Sequence, residues 1–71
     1  MEARLMNIRQ WRIERGMTQE ELAKRLDVTK ACVSQWEVGW TRPNLDRAYK
    51  LIRMSKGRLT LEGIMRGHRK T

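Results

Sequence analysis

One histidine and one cysteine are all that this 71-residue chain offers to neutral-pH base, thiol or zinc chemistry. His68 sits in a tail of glycine and cations, Arg66-Gly67-His68-Arg69-Lys70. Cys32 alone can form no disulfide within the chain, and with a single histidine it cannot complete a zinc site of the usual kind. No Ser/His/acid set and no glycine-rich phosphate loop is present. These residues predict no enzyme, no metal and no cofactor. What the chain supplies in quantity is cation: 16 Lys and Arg against 8 Asp and Glu, a net charge of +8. The charge is uneven, with 7 basic and 6 acidic groups in residues 1–37 but 9 and 2 in residues 38–71. So concentrated an excess points to an anionic partner, nucleic acid first and an anionic membrane surface second. A merely solvated basic surface is the plain alternative.

The length allows one domain. A chain this short buries only about 60% of the surface that its unfolded form exposes, which rules out a large enclosed substrate cavity. A hydrophobic content of 39% still suffices for a small core, so disorder is not the default. The longest uninterrupted apolar run is Ala31-Cys32-Val33, far short of the ~20 residues that cross a bilayer. The N-terminal residues show no apolar signal segment, and with the lone thiol this predicts a reducing, cytoplasmic location in a bacterial cell or its nucleoid. One domain is expected over residues 1–66 and a flexible basic tail over 67–71.

The elements that must position any site read as short helices. The first is expected over 3–15, with Leu5, Ile8 and Arg12 on one face, Met6, Trp11 and Ile13 flanking it, and Gly16 as its left-handed stop. Arg12 on that apolar stripe requires a buried partner. Thr18 and Glu21 form a capping box for a second helix to about residue 26, with Met17 and Leu22 as its hydrophobic staple. Thr29 caps a third, running to about 38, with Val28 and Val33 as staple and Gly39 as terminator. Pro43 and Asn44 start a fourth, with Leu45, Ala48, Tyr49, Leu51 and Ile52 available for its buried side and Ser55-Lys56-Gly57 at its end. Thr60 caps a fifth, with Leu59 and Ile64 as staple, although the alternation around Leu59 and Leu61 also suits a short strand.

Helices 2 and 3 are separated only by Asp27 and Val28. Two short helices joined by a tight turn in a small basic helical protein form a helix-turn-helix, a unit that lays its second helix in the major groove of DNA. Ala23 is small where the two helices approach. Val33 and Trp36 point inward on helix 3, which leaves Lys30, Ala31, Ser34 and Gln35 outward. Lys30 can donate to guanine O6 or N7, Gln35 can bond adenine twice, Ala31 can touch a thymine methyl, and Ser34 serves base or phosphate. Cys32 lies between the faces as a small packing residue. Gln19 opens helix 2, whose N-terminal amides suit a phosphate.

Arg12, Gly16-Met17-Thr18-Gln19-Glu20-Glu21-Leu22-Ala23, Val28-Thr29, Val33-Ser34-Gln35-Trp36-Glu37 and Gly39 with Pro43 resemble the Cro/C1-type (xenobiotic-response-element) helix-turn-helix family, over about residues 5–55. The short length is most similar to a Cro-type phage repressor. The resemblance implies an all-α, five-helix, lambda-repressor-like fold, a homodimer, and an operator of two inverted half-sites. It aligns Lys30, Ala31, Ser34 and Gln35 with base-reading positions. It implies backbone contacts from Gln19 and from the stretch after helix 3, Trp40, Arg42 and Asn44; with Thr29, the cap of helix 3, these are the expected phosphate set. Trp40 equally suits packing against a partner subunit or covering the core. A partly buried salt bridge between Arg12 and Glu37 is also implied. Where the family usually places Gly in the turn this chain has Asp27, which tolerates a left-handed backbone less well than Gly.

The expected function is a sequence-specific double-stranded DNA-binding repressor without a small-molecule ligand or a membrane role. An antitoxin that uses the same fold to bind DNA and a protein partner is the alternative. A membrane-surface module would need a long amphipathic helix with a free apolar face, and the apolar positions here are consumed by one small core. The apolar side chains nearest the end, Leu59, Leu61, Ile64 and Met65, with Met54 or Trp40 beside them, are the expected two-fold contact. Self-repulsion at +8 per subunit makes that dimer weak without DNA.

Overall fold

A computed structural model describes residues 6–66 as five helices: α1 Ile8–Glu14, α2 Gln19–Leu26, α3 Lys30–Val38, α4 Leu45–Met54 and α5 Leu61–Arg66. No strand occurs among the described residues: within the 58–66 segment, residues 58–60 bend into α5, with the Gly63 amide donating to Thr60 Oγ1 at its start. The expected basic tail at 67–71 and Leu5 lie outside the described residues.

Each helix start follows from a local hydrogen bond. The Asn7 side chain accepts from the Gln10 amide at 2.8 Å, while Gln10 Oε1 accepts from the Asn7 amide at 3.0 Å. That capping box starts α1 at Ile8 rather than at residue 3 and corrects the longer helix expected from hydrophobic spacing. The Thr18–Glu21 box forms as the sequence predicts, at 2.9 and 3.0 Å, and Thr29 Oγ1 accepts from the Cys32 amide at 3.1 Å. Between α2 and α3, Asp27 is left-handed (φ 60°, ψ 45°), as the turn requires. Gly39 (φ 88°) ends α3, and its amide donates back to Gln35 and Trp36 carbonyls.

α2 and α3 pack most extensively on each other, with Ala23 buried in the crossing. The core joins Ile8 and Trp11 of α1, Leu22, Ala23 and Leu26 of α2, and Val33 and Trp36 of α3 to Ala48, Leu51, Leu59 and Ile64. Two face assignments need correcting. Ile13 is 53% exposed, because the buried side of α1 centres on Ile8 and Trp11. Leu45 and Tyr49, expected on the buried side of α4, are 55% and 48% exposed, because Ala48 and Leu51 fill the space facing the core. Buried Ser55 joins α4 to the approach of α5: its hydroxyl donates to the Ile52 carbonyl and accepts from the Leu59 amide, both at 2.9 Å. Leu59 and Ile64 are 0% and 4% exposed within the subunit's own core. Their burial in the subunit's own core speaks against them as two-fold contacts; of the expected set, Leu61, Met65 and Met54 are half-buried and Trp40 is exposed.

Candidate nucleic-acid interface

α3 is held from behind by charge as well as by packing. Arg12 Nε donates to Glu37 Oε2 at 2.7 Å and its NH2 group to Oε1 at 3.1 Å. The remaining Arg12 amino group donates to the Met17 carbonyl at 2.8 Å. Gln19 Nε2 adds a bond to Glu37 Oε1 at 2.9 Å. Three elements thus meet on one carboxylate: α1, the first residue of α2 and the last turn of α3. The Arg12 and Glu37 side chains are only 12% and 3% exposed, so this is a desolvated, two-pronged pair to which the Gln19 amide adds a third bond. From the other side, Arg47 of α4 donates to the Leu26 carbonyl and the Asp27 carbonyl, each at 3.2 Å. Those carbonyls lie at the C-terminal end of α2, where intrahelical partners run out and a cation is favoured. The α2–α3 unit is therefore held at two places, at its turn by Arg47 and where the start of α2 meets the end of α3 by the Glu37 network.

With Val33, Trp36 and Glu37 buried, the opposite side of α3 faces outward. Lys30 and Ala31 are exposed, and Ser34 and Gln35 are half-buried. Val38, 52% exposed, falls four residues after Ser34 and seven after Ala31, so it shares their face. Sequence reasoning missed it; the signal was that same spacing, masked by its apolar type. Two open grooves flank the helix. Arg12, Thr18, Gln19, Glu20 and Lys30 contribute to one, and Gln35, Thr41, Arg42, Asn44 and Arg47 to the other. The structure thereby brings Gln19 together with Lys30, and Gln35 together with Arg42 and Asn44.

Each of the polar groups expected at phosphate also has an internal bond, and each keeps a donor. Thr29 and Asn44 use side-chain oxygens as caps of α3 and α4, which leaves the hydroxyl proton of one and the amide protons of the other. Gln19 commits one of its two amide protons to Glu37. Arg42 Nε donates to the Met65 carbonyl at 2.6 Å, and its two terminal amino groups remain. Trp40 lines neither groove. Its backbone amide is fixed on the Gln35 carbonyl at 3.0 Å while its side chain stands 80% exposed. Arg47 is a functional residue that sequence reasoning did not single out: its bonds to the Leu26 and Asp27 carbonyls make it a structural clamp. Cys32 is half-buried and packs against the core.

A buttressed helix with an outward polar face, two flanking grooves and a strongly basic chain define a helix-turn-helix protein. A helix-turn-helix family model matches residues 8–54, which spans α1 through α4. An uncharacterised HTH-type transcriptional regulator of Archaeoglobus fulgidus is 42% identical over 52 residues, 73% of this chain and 74% of that one. One from Methanothermobacter thermautotrophicus is 42% identical over 57 residues, 80% of this chain and 81% of the relative. No solved structure matches significantly. The chain belongs to the Cro/C1-type helix-turn-helix family, a family of DNA-binding transcriptional regulators and not of enzymes. Among the described residues no helix is long and apolar enough to cross a membrane.

Proposed function

We propose that the protein is a cytoplasmic repressor that binds an inverted-repeat operator as a homodimer, with α3 of each subunit in the major groove. The observation that carries this reading is the contrast between the two sides of α3. One side is fixed by the Arg12–Glu37–Gln19 network and the Arg47 clamp, and the other offers Lys30, Ala31, Ser34 and Gln35 to base edges. Rigidity behind and hydrogen-bonding variety in front are what sequence reading needs, since a loosely held helix would not keep two donors on one base. Gln19, Thr29, Arg42 and Asn44 supply the backbone contacts with the donors that their internal bonds leave over. Trp40 supplies a further contact at the end of the recognition helix. A single helix reads only a few base pairs, so useful specificity takes two, about one DNA turn (~34 Å) apart.

Fluorescence anisotropy with a labelled duplex at a series of salt concentrations tests the reading. Neutralising ~6–8 phosphates per dimer gives a log–log slope of roughly −5 to −7, at about −0.9 per phosphate. A response flat in salt contradicts DNA binding by this surface.

A further inference from the structure

We propose that α4 carries a self-complementary surface for a second copy of this chain, formed by an antiparallel pair of α4 helices about a two-fold axis beside Tyr49. The proposal rests on the two-subunit operator complex proposed above and names the surface that holds it together. Leu45, Tyr49 and Ile52 follow one another at intervals of four and three residues and form one stripe along α4. Leu45 is 55% and Tyr49 48% exposed, although Ala48 and Leu51, on the adjoining face, are fully buried. Arg47 leaves α4 toward the α2–α3 turn, so that turn does not cover the stripe. Along its far edge lie Asp46 and Arg53, both exposed, seven residues or about 10.5 Å apart. Neither Asp46 nor Arg53 takes part in the Arg12–Glu37 or Arg58–Glu14 pair, and neither side chain has another hydrogen-bond or ion-pair partner among the described residues.

That arrangement selects a second copy over other occupants. In an antiparallel pair centred between residues 49 and 50, the two-fold axis brings Asp46 of each copy level with Arg53 of the other, on the same flank. The same operation brings Leu45 to within two residues, about 3 Å along the axis, of Ile52 of the other copy on the opposite flank, and Tyr49 beside Tyr49 near the axis. Two symmetric ion pairs then border one apolar stripe, as an isologous contact requires. A stripe of three side chains on one short helix falls below the ~1,200 Å² typical of stable complexes. The contact is therefore weak alone and strengthens when DNA holds two subunits side by side and neutralises their charge.

Charge exchange tests it. The probes are a duplex carrying both half-sites recovered by selection and a duplex carrying one. Asp46→Arg and Arg53→Asp should each keep half-site binding, shifted in opposite directions by their opposite charge changes, and each should lose about tenfold in cooperativity on the two-site duplex. Mixing the two single variants should restore cooperativity, because one copy then carries cations at both positions and the other carboxylates at both. The double variant D46R/R53D should restore it as well. A single variant that stays cooperative, or a mixture that does not recover, overturns the proposal. Sedimentation of the same set at high protein concentration without DNA reads the contact independently. If the wild type fails on both duplexes while sedimentation still shows the two single variants recovering association on mixing, the DNA reading is overturned and not the α4 contact.

Discussion

Arg12 grips both carboxylate oxygens of Glu37, at 2.7 and 3.1 Å, across 25 residues of chain. It does so from the otherwise apolar side of α1, and the pair sits behind the helix that faces outward. Removing Arg12 leaves a nearly buried carboxylate held by the Gln19 amide. Arg12→Met should cost about 3 kcal/mol, the lower end of what breaking a buried pair costs because the Gln19 bond survives. Arg12→Met combined with Glu37→Leu should recover part of that loss, and chemical denaturation of the four proteins measures it. Additive losses would mean that the pair contributes no coupling.

Asp27 and Lys56 are the non-glycine residues with positive φ among those described, at 60° and 54°. Asp27→Gly removes a Cβ strain of the order of 1–2 kcal/mol and adds a smaller unfolded-state entropy cost, for a net gain of roughly 0.5–1 kcal/mol. Lys56→Gly should act in the same direction. In a domain of this size the gain appears as a rise of about 2–8 °C in melting temperature. A fall in either variant would show that the side chain contributes more than its backbone strain costs.

Arg47→Ala should destabilise the fold by about 1–2 kcal/mol through two lost bonds to the end of α2. It should also weaken DNA binding while leaving the salt slope unchanged. An arginine on phosphate would instead lower that slope by about one. The slope separates a clamp from a contact.

Lys30→Ala and Gln35→Ala should each cost roughly 1–3 kcal/mol at one base position and relax the preference there. Arg42→Ala should weaken all sequences alike, since its free amino groups suit phosphate. Competition titrations against single-base operator variants measure this. A base-selective Arg42→Ala beside a neutral Gln35→Ala would reverse the two roles.

What the sequence made legible was local. Thr18, Thr29, Gly39 and Asp27 act within a few residues of themselves, so their types alone locate the ends of α2 and α3. The Arg12–Glu37 pair was accessible because a charge on an apolar stripe demands a partner. Leu45 and Tyr49 were misplaced because spacing shows that α4 has apolar positions but not how far around the helix its neighbours extend. Leu59 and Ile64 looked surplus to so small a core, but α5 folds back and closes it with them. Arg47 was opaque because a clamp on distant carbonyls needs no particular neighbour in sequence, and one arginine among many carries no mark of it. Asn7 and Gln10 do carry a local cap signal, which the hydrophobic spacing upstream of residue 8 obscured.

Selection of bound duplexes from a random-sequence pool tests whether α3 reads sequence. The enriched site should be two-fold symmetric, with half-sites about one helical turn apart, ~34 Å between centres. Gln35→Ala should alter the selected sequence at one position in each half. Recovery of no preferred sequence, or of the same sequence by the Gln35 variant, would contradict reading through α3.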